Sequence, residues 1–232
     1  MLRTRHAFDE ELTGLKQELV KMGAFVESML DRSVRALEQH DVNMAQQVIA
    51  DDDVVDDLDL AIEQHCMRLL ALQQPMSRDL RTVGTVMKVI ADVERVGDYC
   101  VDIAKVALSM ADIPYFKELV DIPRMGVVVG DMLRGALQAL VHEDLERVRQ
   151  VVEQDDEVDR LWYGLLEELI TIMEQRPDTV RQAVQLVLVA RYLERIADHV
   201  VNVVERVAYM ATGKLEDLSS HHVITPHPED AE

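Results

Sequence analysis

The chain has 232 residues, 48% of them hydrophobic, enough to bury a core in one large domain or two small ones. Forty-four acidic side chains against twenty-four basic ones give a net charge of -20, which repels a phosphate backbone, and no basic cluster offsets it, so nucleic acid is excluded as a partner. Aromatic residues make up 4% and glycines number nine, while Val, Leu, Ala, Met, Glu, Asp and Arg dominate, so strands and tight turns lack their usual ingredients.

The stretch from Met1 to Leu12 carries charges throughout and has no signal-peptide core, and no later run is long enough to span a membrane. A cytoplasmic location without membrane insertion is expected. From Leu12 onward, Leu15, Leu19, Met22, Val26, Met29 and Leu30 recur every three or four residues, which predicts a helix over about 5–39. A second helix is expected from Asp41 to Leu72, where Cys66 sits among apolar neighbours as a core thiol, and Pro75 enforces a break. The third runs from Ser77 to about Met110 and holds Cys100, likewise a core thiol without the spacing of a zinc site or disulfide pair. Pro114 and Pro123 flank a linker, after which helices are expected over about 125–141, 143–174 and 177–211. Gly213 then opens a polar tail expected to be disordered.

The pattern is written twice. Met29, Leu30, Ala36, Leu37 and Asp41 return 103 positions later as Met132, Leu133, Ala139, Leu140 and Asp144. The same displacement carries Asp52, Asp53 and Asp56 onto Asp155, Asp156 and Asp159. Beyond the hairpin turn the displacement becomes 100, carrying Arg81 onto Arg181, Glu94-Arg95 onto Glu194-Arg195 and Asp98 onto Asp198. Ordered matches of charged residues through three successive helices indicate duplication. The expected fold is all-α: two tandem three-helix bundles, six long antiparallel helices in all, packed side by side. Residues 1–113 form the first repeat, 114–124 the linker, 125–212 the second repeat and 213–232 the tail.

Glu94 and Asp98 lie four residues apart and project from one helix face, as do Glu194 and Asp198. Glu94 falls about 40° around the helix from Ile90, on the edge of the apolar stripe, so half-burial is expected. In an antiparallel hairpin, residues equally far from the turn share a level. Asp56 lies nineteen residues before Pro75 and Glu94 nineteen after it, while Asp52 and Asp98 are each twenty-three away. In the second half, Asp159 with Glu194 and Asp155 with Asp198 share one midpoint, just before Pro177. Each half therefore predicts two acidic rungs, which Asp102 and Asn202, one turn further along, could complete. Such a quartet repels itself unless a cation neutralises it, and all-oxygen ligands suit magnesium, calcium, manganese or iron.

In a chain with 44 acids an isolated i, i+4 pair is ordinarily solvated surface, and it is the level matching in both halves that favours metal. Arg95 and Arg195 are read as partners of the neighbouring acids, Arg81 and Arg181 as fastenings of helix starts, and His199 as either packing or ligation. Tail residues His221, His222 and His227 could bind metal adventitiously.

The segments Glu-Arg-Val-Gly-Asp at 94–98 and Glu-Arg-Ile-Ala-Asp at 194–198, with Gln74-Pro75 and Asp79-Leu80-Arg81, resemble the PhoU family over about residues 6–212. The resemblance implies tandem three-helix bundles that carry clusters of iron, zinc or another divalent metal in some members. It also implies a non-enzymatic negative regulator of phosphate uptake and the phosphate-starvation response. Such a regulator links the phosphate ABC transporter ATPase to a sensor histidine kinase, which would place it at the periphery of the inner membrane through these partners, and a homodimer is expected. The E(D)xxxD motif is intact in both halves. One turn on, where the family often has Asn and then Glu, the first half has Asp102 and Lys105 and the second keeps Asn202 and Glu205, so the two sites are expected to differ.

Two other readings compete. A metal-dependent bundle enzyme or iron-storage protein also uses internal carboxylates, but no Glu here has a His three residues later, and no nucleophile motif, Walker loop or dinucleotide turn occurs. A plain helical adapter would need its acids only for solubility.

Overall fold

The computed structural model describes residues 2–218, apart from the side chains of residues 2–7 and 73. Its helices are α1 (Leu2–Gln39), α2 (Val42–Ala50), α3 (Asp52–Gln73), α4 (Arg78–Met110), α5 (Asp121–His142), α6 (Leu145–Gln175) and α7 (Val180–Thr212), with a 3-10 turn at Pro177–Thr179. No strand occurs among the described residues. The first repeat comprises α1 to α4 and the second α5 to α7. No described helix is long and apolar enough to cross a membrane.

The apolar periodicity becomes burial. Along α4, Val86, Val89, Ile90, Val93, Val96, Gly97, Cys100, Val101 and Ala104 are all buried, and along α7 so are Leu186, Val189, Ala190, Leu193, Ala197, Val200 and Val204. Both cysteines are free and buried, and burial pushes the Cys66 thiol up to about 12, so they serve as core residues. α4 and α7 are the central helices, packed on each other and on every long neighbour in their own repeat. One continuous apolar cluster runs through both repeats. The bundles do lie side by side, joined by α4 against α7 and α1 against α5.

The duplication is visible in the turns. His40 (φ 55) and Glu143 (φ 53) both sit in the left-handed region and end their helices, and Asp41 and Asp144 follow as extended N-caps. The amide of Asp41 donates to the carbonyl of Ala36, and that of Asp144 to Ala139, at 3.0 and 3.2 Å. Each aspartate side chain accepts from backbone N–H groups of the next first turn, satisfying donors that no helix can satisfy internally.

The helix boundaries differ from the sequence reading at two points. The expected single helix over 41–72 is interrupted at Asp51, whose carboxylate pairs with Arg32 of α1 at 2.6 Å. The second repeat has Gly135 and Gln154 at these places, Val151 of α6 packs where a Cβ on Gly135 would stand 3.0 Å away, and α6 is continuous. The fifth helix begins at Asp121 rather than near 125. Pro123 falls inside its first turn, where the absent N–H has no intrahelical acceptor to miss.

The connection from α4 to α5 is fastened to both repeats. Tyr115 Oη donates to the Leu37 carbonyl at 2.5 Å and its ring stacks on His40 at 4.3 Å. The Gln182 amide accepts from Phe116 N–H and donates to the Pro114 carbonyl. After Gly213 closes α7 in the left-handed region, the chain turns back along it, so that Leu218 N–H meets Glu205 Oε1 at 2.7 Å. The rest of the expected tail, with His221, His222 and His227, lies outside the described residues.

Candidate functional site

Antiparallel pairing of α3 with α4, and of α6 with α7, brings the acidic faces of each hairpin together. Asp52, Asp98 and Asp102 line a cleft of about 270 Å3 in the first repeat with Arg95, Tyr99 and Lys105. Asp155, Asp198 and Asn202 line one of about 370 Å3 in the second with Tyr99, Arg195 and His199. The rungs nearer the hairpin turns, Asp56 with Glu94 and Asp159 with Glu194, lie outside these linings but remain within electrostatic reach of them.

Crowding shows in the protonation equilibria. Burial, and then Asp56 and Asp98, raise Asp52 above the ordinary aspartate range. Burial and Asp98 likewise raise Glu94, against the opposing field of Arg95. Glu194 is pushed up to about 7, first by burial and then by Asp198, although Arg191 and Arg195 oppose the shift. The second repeat is the more enclosed: Asp155 and Glu194 are only 3% and 9% exposed.

The motif arginines do what the sequence suggests. Arg95 Nη1 donates to Asp98 at 2.7 Å and Arg195 Nη1 to Asp198 at 2.9 Å, and Arg191 binds Glu194 Oε1. His199 Nδ1 meets Asp92 of α4 at 2.9 Å, so it ties the repeats together rather than facing the carboxylates alone. Arg81 does not fasten a helix start; its guanidinium lies 3.5 Å from where a Cβ on Gly213 would stand, against the end of α7.

Whether these residues suit a metal ion has two answers. The donor chemistry fits a hard cation, and Glu194 Oε2 is buried without a hydrogen-bond partner. The placement is that of a site closed on arginine: among the described residues no group of three or more His, Cys, Asp or Glu is arranged to hold an ion.

Sequence reasoning missed Tyr99, which lines both clefts and packs on Tyr192 and His199 at 5.9 Å each. It also missed Asp59, whose charge adds to the field on Glu94, and Asp92. The Asp102 to Lys105 spacing was a legible i, i+3 pair, but Tyr99 and Asp92 matter only because α4 crosses α7 as it does. A larger groove of about 460 Å3 between α1 and α5 is also lined by acids, Glu27, Asp31, Glu38 and Asp131, and is bridged by Arg134 to Glu27.

A family model of the PhoU domain matches the chain twice, over residues 19–107 and 122–207, once for each repeat. The chain belongs to the PhoU family. It is 38% identical over 217 residues to a phosphate-specific transport system accessory protein PhoU homolog of Clostridium acetobutylicum, covering 93% of this chain and 99% of that one. A protein of the same description from Aquifex aeolicus is 36% identical over 206 residues, 89% of this chain and 93% of the relative. The crystal structure of PhoU from Pseudomonas aeruginosa superposes with a TM-score of 0.86 at 32% identity, over 89% of this chain and all of that one. That of the phosphate transport system regulatory protein PhoU from Streptococcus pneumoniae gives 0.85 at 32% identity, over 90% and 99%. The two-repeat PhoU architecture is thus shared along nearly the whole described chain.

Proposed function

We propose that this protein is a non-enzymatic accessory regulator of phosphate transport, restraining phosphate uptake and the starvation response while phosphate is plentiful. The observation that carries the reading is the match along 93% of the chain to a phosphate-transport accessory protein, with the Glu94/Asp98 and Glu194/Asp198 motifs intact in both repeats. Its partners are taken to be the phosphate ABC transporter ATPase and a sensor histidine kinase, and its working form a cytoplasmic homodimer held near the membrane by them. The acidic clefts are read as cation sites: Asp52, Asp56, Glu94, Asp98 and Asp102 in the first, Asp155, Asp159, Glu194, Asp198 and Asn202 in the second. Iron, zinc, manganese or magnesium would supply the missing counter-charge once Arg95 or Arg195 swings aside, and the burial of Asp155 and Glu194 favours that exchange.

Deleting the gene, in a host without a second PhoU-like protein, is expected to leave starvation genes and phosphate uptake active at high phosphate. Tagged protein should recover the transporter ATPase and the kinase from membranes in a phosphate-dependent manner. Wild-type repression in the deletion strain, together with no recovery of either partner, would rule the reading out.

A further inference from the structure

The two hairpin turns are unlike, and the duplication shows where. The change of displacement from 103 to 100 gives the first turn three residues more than the second, between Leu72, which corresponds to Gln175, and Leu80, which corresponds to Val180. Met76 lies in this longer turn and is 77% exposed, with Leu72 72% exposed on one side of it and Leu80 48% on the other. Gln74 (φ 46) and Ser77 (φ 51), both in the left-handed region, carry the chain around the tip. The second turn is instead closed on itself: Thr179 is buried, and its N–H and hydroxyl both donate to the Arg176 carbonyl.

Charge follows the same division. With histidine counted as neutral, residues 64–88 hold Arg68, Arg78, Arg81 and Lys88 against Asp79 alone, a net charge of +3 within a chain of net charge -20. The corresponding stretch, 167–188, has Arg176 and Arg181 against Glu167, Glu168, Glu174 and Asp178, a net charge of -2, and Asp178 stands where the first hairpin has Arg78. Arg68 is exposed and lies one turn from Leu72 on the same face of α3. Glu143, the acid that Arg78 meets, is shared with Lys16. Asp98 of the acidic cleft is twenty residues along α4 from Arg78, hence about 30 Å away, several screening lengths at physiological salt.

A projecting tip has no concave shape with which to grip one protein surface, whereas a bilayer accepts an apolar knob of any shape and offers phosphates to the arginines around it. We propose that the tip between α3 and α4 docks on an anionic lipid surface, with Leu72 and Met76 entering the boundary between headgroups and acyl chains while Arg68 and Arg78 meet lipid phosphates. The contact is peripheral and requires no spanning helix, in keeping with the described helices. It goes beyond the phosphate-regulatory reading and does not rest on it, because it brings the chain to a membrane without a protein partner.

Sedimentation of full-length protein with vesicles of phosphatidylglycerol and phosphatidylcholine in equal parts, and with phosphatidylcholine alone, tests it. Binding is expected to the anionic vesicles only, and to weaken as salt is raised. Leu72→Ser and Met76→Ser should each lower the partition coefficient roughly tenfold, and Arg68→Gln roughly fivefold, whereas Val180→Ser at the second turn should leave it unchanged. All four side chains are exposed, and an unchanged helical spectrum checks the fold of each variant. An environment-sensitive dye on Met76→Cys, selective because Cys66 and Cys100 are buried, should shift to the blue when anionic vesicles are added. Failure of the parent to sediment with anionic vesicles overturns the inference, as does binding that survives Leu72→Ser with Met76→Ser, or binding as strong to phosphatidylcholine alone. A dimer that the same double variant dissociates, without vesicle binding, makes the tip a contact between copies and equally overturns it.

Discussion

Glu143 shows how much one residue at a helix end can connect. It closes α5 with φ 53, and its carboxylate accepts from Lys16 of α1 at 3.1 Å and from Arg78 of α4 at 2.5 Å, so a residue of the second repeat is held by two helices of the first. Burial alone would raise its pKa, but the bonds to Arg78 and Lys16 outweigh burial and hold it below the ordinary glutamate range. An acid depressed in the folded state contributes stability that is complete above its unfolded pKa and is lost as pH falls through the folded value. Glu143→Gln is therefore expected to cost about 1 kcal/mol at pH 7, discounted because the Arg78 side chain is 68% exposed. Below about pH 4 the melting temperatures of variant and parent should converge. A constant gap from pH 7 to pH 3 would mean that shape, not charge, holds this corner.

Between elements, the packing of α1 on α5 is self-complementary under the duplication. A Cβ on Gly23 would stand 2.5 Å from Leu137 Cδ2, and one on Gly126 would stand 3.0 Å from Val34 Cγ2. The 103-residue displacement carries Gly23 onto Gly126 and Val34 onto Leu137, so the two contacts are one contact made twice about a pseudo-two-fold axis. The same axis relates the Tyr99 to Tyr192 contact on α4 and α7 to the Asp92 to His199 bond. Gly23→Ala must push buried Leu137 from its rotamer, and after the gain in helix propensity a net loss of about 1 kcal/mol is expected. With Leu137→Ala in the same chain the obstruction disappears, and Gly23→Ala should become neutral or stabilising. A double-mutant cycle by urea denaturation measures the coupling, and purely additive effects would show that Leu137 does not set the approach of these helices.

For the molecule as a whole, the shared core decides how it unfolds. Val86, Val93 and Cys100 of α4 belong to the same apolar cluster as Leu186, Leu193 and Val200 of α7, so neither repeat has a core of its own to retain when the other melts. Full-length protein is expected to unfold in a single calorimetric transition with matching van't Hoff and calorimetric enthalpies. Two resolved transitions would show instead that the α4 to α7 interface is weaker than the interior of each bundle.

Much of this architecture could be read from residue order. Helix identity, the duplication and the convergence of Asp52 with Asp98 and Asp155 with Asp198 follow from apolar spacing and from distances to Pro75 and Pro177, because an antiparallel hairpin turns chain separation into level. Tertiary structure alone decided what lies between distant helices. The angle at which α4 meets α7 places Tyr99 between the clefts and lets Asp92 meet His199, and packing leaves the Glu194 side chain 11% exposed against 27% for Glu94. That angle arises from side chains interlocking across about a hundred residues of chain, where no local period carries the information. The break at Asp51 has the same origin, since it depends on Arg32 arriving from another helix. Composition and periodicity therefore determined which faces are acidic, and packing determined which of those acids lost their water.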